Sequence, residues 1–251
     1  MSILNSKVAA SLVLCISVAS AWGADLKSEM ARARALEAFA NRGDPMAQTN
    51  LSRIYLFGPS ELRDEAKAVH WLKQAVQKNH GPAEYLFGMV LLSDRNDNAK
   101  IQEGGSYLTR SAAHGCAGAA GLLGNMFLAA SSRNPDIEPK AFNYIRQAAE
   151  GGDYMSQTLL AKLYSSGGKS IGKDPVTAYA WLEFARSDRP NHAFARPSTE
   201  MHTQLRGSLD ANQLARAAEM ATSFKQKYGK EKYEFCSQSL PDEMQSVATR
   251  K

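Results

Sequence analysis

Hydrophobic and polar positions alternate along this chain with a helical period, and the pattern itself recurs at about 36 residues. Ala47, Leu51, Ile54 and Tyr55 form the i, i+4, i+7, i+8 stripe of an amphipathic helix. A similar stripe returns as Ala83, Phe87, Val90 and Leu91, around Ala119 and Leu123, and as Leu160, Leu163 and Tyr164. With Ala47, Ala83, Ala119 and Ser156 as anchors the spacings are 36, 36 and 37. A second marker, the small residue after an aromatic residue or leucine in a following helix, falls at Ala75, Ala112, Ala148 and Ala185, spaced 37, 36 and 37. Two independent markers on one period are the signature of a helical repeat array. The expected fold is all-α: a right-handed α-solenoid of antiparallel helix pairs, with about four repeats between N- and C-terminal capping helices.

The pattern divides the chain into repeats at 44–80, 81–116, 117–152 and 153–187. Asp44-Pro45 opens the first, a capping residue before proline at the first helical position. Residues 24–43 are rich in strong helix formers and end at Gly43, as suits a capping helix over repeat one. The polar run SDRNDNAKIQEGG predicts a lengthened loop in repeat two, with Ser106 capping the helix that follows. Gly118, Gly121 and Gly124 line one side of a helix in repeat three, at ~1 kcal/mol each relative to alanine. Close approach of a neighbouring helix is the expected compensation. Two capping helices are expected within 188–229, the second N-capped by Asp210 with Leu214, Ala217, Ala218, Ala221 and Phe224 inward. Residues 230–251 have no period and read as an irregular tail.

Composition changes the picture mainly at the N-terminus. Lys7, the apolar run VAASLVLCISVASA and the small residues of Ala21-Trp22-Gly23 predict a signal peptide over 1–23, cleaved before Ala24 or else at Trp22. The mature chain is therefore expected to be exported and periplasmic, with secretion as the alternative, and no segment approaches the ~20 apolar residues of a membrane span. Leu14 before Cys15 argues against lipid attachment there. The formal charge of +5, of which Lys7 leaves with the leader, is dispersed among 25 carboxylates, which argues against a nucleic-acid partner. Cys116 and Cys236 remain, as one disulfide or as two buried thiols.

Candidate chemistry is sparse, and no catalytic, cofactor or metal residue is assigned. Gly167-Gly168-Lys169-Ser170 ends like a phosphate-binding loop, but Leu163 stands where that loop needs a glycine and a helix leads in. His70, His80, His114, His192 and His202 fall at no metal-ligand spacing, and His80 and His114 read as cations at helix C-termini. No serine lies in a G-x-S-x-G turn. Trp71, Tyr107, Tyr144 and Trp181 repeat near one position of the second helices and read as core.

LSRIYLFG at 51–58, YLFGMV at 85–90 and LLGNMF at 122–127 resemble the first helices of Sel1-like repeats, relatives of the tetratricopeptide repeat. KLYSSGG followed by GKDPVTAYAWLEFA in repeat four resembles that family's loop and aromatic second helix, and SLDANQLARAAEMA at 208–221 its closing helix. Leu92-Ser93 and Ala129-Ala130 depart from the family's tyrosine and glycine at the end of the first helix. The resemblance covers about residues 40 to 225. It implies a non-enzymatic protein that binds another protein on a concave face lined by first helices, through the second and sixth positions after each anchor. Those are Thr49 and Arg53, Tyr85 and Met89, Gly121 and Asn125, Thr158 and Lys162; any of them can instead be plain solvated surface. Exported proteins of this kind include immunity proteins that block phospholipase effectors, which the resemblance implies here. The alternatives are a periplasmic scaffold or regulator of an envelope process, and a hydrolase of the beta-lactamase kind.

Overall fold

Capping side chains set where the helices begin. Asp44 accepts the Ala47 N–H at 2.7 Å, Asp153 that of Ser156 at 2.8 Å, and Asp97 those of Ala99 and Lys100. Asp210 and Gln213 form a reciprocal capping box, at 2.8 and 3.0 Å. Each cap satisfies backbone donors that a helix start leaves without an internal partner. The structure, a computed structural model, describes residues 26–168, 171–188 and 195–229. The expected signal peptide with Cys15, the expected linker carrying Pro190, and the expected tail with Cys236 lie outside the described residues.

The described residues form no strand and give eleven α-helices. These are α1 (Leu26–Asn41), α2 (Pro45–Phe57), α3 (Glu65–Val76), α4 (Gly81–Ser93), α5 (Asn98–Ala113), α6 (Ala117–Ser131), α7 (Glu138–Glu150), α8 (Tyr154–Ser166), α9 (Pro175–Asp188), α10 (Ala195–Ser208) and α11 (Ala211–Tyr228). Pairs α2/α3, α4/α5, α6/α7 and α8/α9 are the four repeats of an all-α solenoid. The chain divides into two compact units, with the boundary inside α5 between Tyr107 and Leu108.

All eight anchors of the period are sealed in the core: Ala47, Ala75, Ala83, Ala112, Ala119, Ala148, Ser156 and Ala185 are each at most 1% exposed. Small side chains there let helices approach closely. Glutamines then tie successive elements. Gln48 Nε2 donates to the Ala40 carbonyl at 3.0 Å and to Gln74 Oε1. Gln157 Nε2 donates to the Ala149 carbonyl, again eight residues back, at 3.2 Å. Repeat three has Ala120 at this place, and Gln147 reaches the matching carbonyl, Ala112, from the second helix at 2.7 Å. The same carbonyl at the end of a preceding helix, which already accepts a backbone N–H from Gly43, Gly115 or Gly152, thus takes a second hydrogen bond from whichever of two positions carries the amide.

Three expectations are corrected. The long loop of repeat two is mostly helix, because Asp97 caps α5 and Lys100 bridges back to Asp94 at 2.8 Å. Ser106 accordingly lies inside α5 and caps nothing. Gly104 serves close packing: a Cβ there would meet the Gly88 carbonyl at 2.9 Å and Leu91 and Leu92 at 3.1 Å. On α11, Ala217 is buried as expected, but Ala218 is exposed and Met220 packs on the core in its place.

The expected close approach at the glycines of repeat three is present. A Cβ on Gly124 would lie 2.6 Å from Ile145 Cγ1, and one on Gly121 2.9 Å from Ser156 Oγ. That Ser156 hydroxyl is buried without a hydrogen-bond partner at an anchor where the other first helices carry alanine. Ser156→Ala should therefore raise stability by about 0.5–1 kcal/mol, since it removes an unsatisfied buried donor and keeps the cap on its backbone N–H. Urea denaturation checks this, and a loss of stability would show that the hydroxyl finds a partner.

Candidate functional site

The second and sixth positions after each anchor, expected to face a partner together, separate in the structure. At the second position Thr49 is 2% exposed and its Oγ1 donates to the Pro45 carbonyl at 2.6 Å. Gly121 is buried against Asp153, Ser156 and Ala148. Neither offers a side chain to a partner, because neighbouring first helices close on this position: α2 touches α4, and Gly121 meets the first turn of α8. Tyr85 and Thr158 are half-buried. At the sixth position Arg53, Met89 and Asn125 are half-buried and Lys162 is exposed, so this row alone stays open in all four repeats.

In the first unit the row is cationic and amphipathic. Burial lowers the Arg53 guanidinium from its ordinary value, nearby Arg32 adds to this, and Tyr85 opposes it. Met89 rests its stem on the core of Leu72, Leu86 and Phe87. His80 is not the helix-end cation that its place in the sequence suggests. It precedes α4 as the N-cap residue and is half-buried, and burial lowers its pKa.

In the second unit the row opens into a groove of ≈ 470 Å³. Asn125 of α6 stands at one end, and α8 gives Met155, Thr158, Leu159, Lys162 and Ser165. Glu200, Met201 and Gln204 of α10 form the opposite wall. Asn125 Nδ2 is committed to the Gly121 carbonyl at 2.9 Å, which leaves its Oδ1 to the groove. Thr158 Oγ1 is buried with no hydrogen-bond partner. Met155, at 45% exposure, is among the few large apolar side chains left open to water among the described residues. Sequence reasoning missed the whole α10 wall and the apolar floor. Met155, Leu159 and Lys162 do share i, i+4, i+7 spacing, a second stripe beside the core stripe of α8, and that was the available signal.

Groups that resemble chemistry are used structurally. His202 shares a hydrogen bond with Glu183 and stacks on Tyr179 at 4.7 Å, which holds α10 to α9. Gly167 and Gly168 turn their N–H groups onto the Leu163 and Ile171 carbonyls, both at 2.8 Å, and Lys169 and Ser170 lie outside the described residues. Of the aromatic row, Trp181 is core, whereas Trp71, Tyr107 and Tyr144 are half-buried in ring contacts with His70, Phe87 and Phe127. Among the described residues no cluster of His, Cys, Asp or Glu is placed to hold a metal, and no helix is long and apolar enough to cross a membrane. Cys116 is buried before α6 and disulfide-bonded; Cys236, its expected partner, lies outside the described residues.

The family model for the Sel1 repeat matches residues 45–80, 119–153 and 155–187. The unmatched stretch between them holds α4 and α5, whose anchors Ala83 and Ala112 are as buried as the rest. Among solved structures the chain is similar to a protective antigen of uropathogenic Escherichia coli strains displaying an SLR fold. The TM-score is 0.66 at 22% identity, over 82% of this chain and 43% of that one. It is also similar to a Sel1 repeat protein from Oxalobacter formigenes, with a TM-score of 0.57 at 27% identity over 68% of this chain and 48% of that one. The chain thus spans less than half the length of either structure. No curated protein matches it.

Proposed function

We propose, on the premise that the chain is a Sel1-repeat protein of the all-α solenoid class, that it works by binding another protein and carries out no catalysis. The observation that carries this reading is the open sixth-position row: Arg53, Met89, Asn125 and Lys162 stay accessible while the second-position row is half closed by packing. Arg53 and Met89 of the first unit, with Tyr85 near Arg53, are of the residue types that interface centres favour. Repeat arrays offer such extended surfaces more readily than deep reaction pockets.

Charge reversal tests it. Arg53→Glu together with Lys162→Glu should weaken the partner's binding at least about tenfold, equivalent to ~1.4 kcal/mol, without lowering Tm. Unchanged affinity places the contact elsewhere.

The compartment belongs to the same proposal. A chain cleaved before Ala24 and exported to the periplasm suits a Cys116–Cys236 disulfide, because such bonds persist in an oxidising compartment. N-terminal sequencing of the mature protein and thiol alkylation with and without reductant test both points. A mature chain beginning elsewhere, or two free thiols, contradicts them. The narrower reading, an immunity protein that neutralises a periplasm-acting phospholipase effector, rests on the family resemblance. Its test is survival: cells lacking the protein should die when attacked by such an effector, and their survival refutes it.

A further inference from the structure

We infer that the groove of the second unit takes an amphipathic helical segment of a protein partner, whose apolar ridge is flanked by a carboxylate on one side and a cation on the other. This inference rests on the protein-binding reading and adds the chemistry of the segment.

The floor sets the ridge. Met155, Leu159 and Met201 supply it, and Met155 is left 45% exposed by the chain's own packing. Methionine is unbranched and adapts its shape, so this floor accepts large apolar side chains without demanding one outline. A groove of ≈ 470 Å³ holds only a few such side chains, as a helix ridge in a groove requires.

The walls set the flanks. Lys162 on α8 and Glu200 on α10 are both exposed, and neither forms an ion pair with the other or with any described residue. Opposite charges on facing walls discriminate between classes of occupant. An anionic amphiphile or a nucleic acid would gain from Lys162 and be repelled by Glu200. A helix with one carboxylate flank and one cationic flank satisfies both walls at once. Between them, Asn125 Oδ1, which its amide bond to the Gly121 carbonyl leaves uncommitted, remains available to a polar group of the segment.

Four fluorescent peptides of about sixteen residues, long enough to form an isolated helix, test the inference by anisotropy against the full mature chain. Three carry a Leu/Met ridge with Glu/Lys, Glu/Glu or Lys/Lys flanks, and the fourth has Glu/Lys flanks around an alanine ridge. Wild type should bind the Glu/Lys peptide about tenfold more tightly than the other three. Lys162→Glu should move the preference to Lys/Lys flanks, and Glu200→Lys should move it to Glu/Glu flanks. Because each variant gains an alternative ligand, loss of folding cannot imitate this result. An unchanged preference in both variants overturns the inference, as does equal binding of the alanine-ridge peptide. So does tighter binding to vesicles of phosphatidylglycerol and phosphatidylethanolamine than to any peptide. If no peptide binds while a purified protein partner does so through Arg53, the inference about the groove fails and the protein-binding reading stands.

Discussion

Trp181→Ala is expected to cost about 3–5 kcal/mol, the largest loss from any one side chain considered for this fold. Trp181 is 4% exposed and is where the closing helix is fastened. Its ring stacks on Phe224 at 4.5 Å and 24°, lies 6.0 Å from Tyr228, and packs beside Phe184 at 5.9 Å. Alanine would leave a cavity between α9 and α11 and take away the stacking that both Phe224 and Tyr228 use. A terminal repeat without its cap exposes an apolar face, so the damage should be concentrated at that end. Denaturation followed by far-UV circular dichroism should show the loss, and hydrogen exchange should show protection falling first across residues 211–228. A cost below about 1 kcal/mol would mean that α11 is held by something other than this aromatic cluster.

Gly124→Ala should destabilise by about 2–3 kcal/mol although alanine is the better helix former by ~1 kcal/mol. The added Cβ would lie 2.6 Å from Ile145 Cγ1 and 2.9 Å from the Ile145 backbone nitrogen. Ile145 is fully buried and a backbone atom cannot rotate away, so α6 and α7 would have to separate. Gly105→Ala is the control. It too lies within a helix, and a Cβ there meets nothing within 4 Å, so the propensity gain of ~0.5–1 kcal/mol should appear undiminished. Opposite signs for the two substitutions, read from urea midpoints, would establish that contact rather than propensity fixes glycine in α6. A stabilising Gly124→Ala would contradict the packing described here.

Much of the fold was legible because the repeat period and the helical period reinforce each other. Anchors such as Ala47 and Ala148 declare themselves by spacing alone, and burial of their neighbours follows from the same stripe. The misreadings have a common cause in contacts that the local pattern does not carry. Gly104-Gly105 looks like loop chemistry, yet Gly104 is a helix crossing against Gly88 and Leu91. Ala218 fits the inward stripe of α11, but with Phe224 and Tyr228 stacked on Trp181 that helix buries Ala217 and rests Met220 on the core instead. The candidate surface was half legible for the same reason. Family resemblance named the first-helix rows, but Thr49 and Gly121 are closed by neighbouring helices, and Glu200, Met201 and Gln204 reach the groove from a helix that follows a separate linker.

Whether the chain acts by holding a protein through its open sixth-position residues is decided by one binding isotherm. A protein crosslinked to the chain in an extract of the cells that make it is purified and titrated against wild type and the Arg53→Glu, Lys162→Glu double variant. Binding to wild type should be saturable, and at least about tenfold weaker for the variant at equal Tm. Identical isotherms for the two proteins would contradict it.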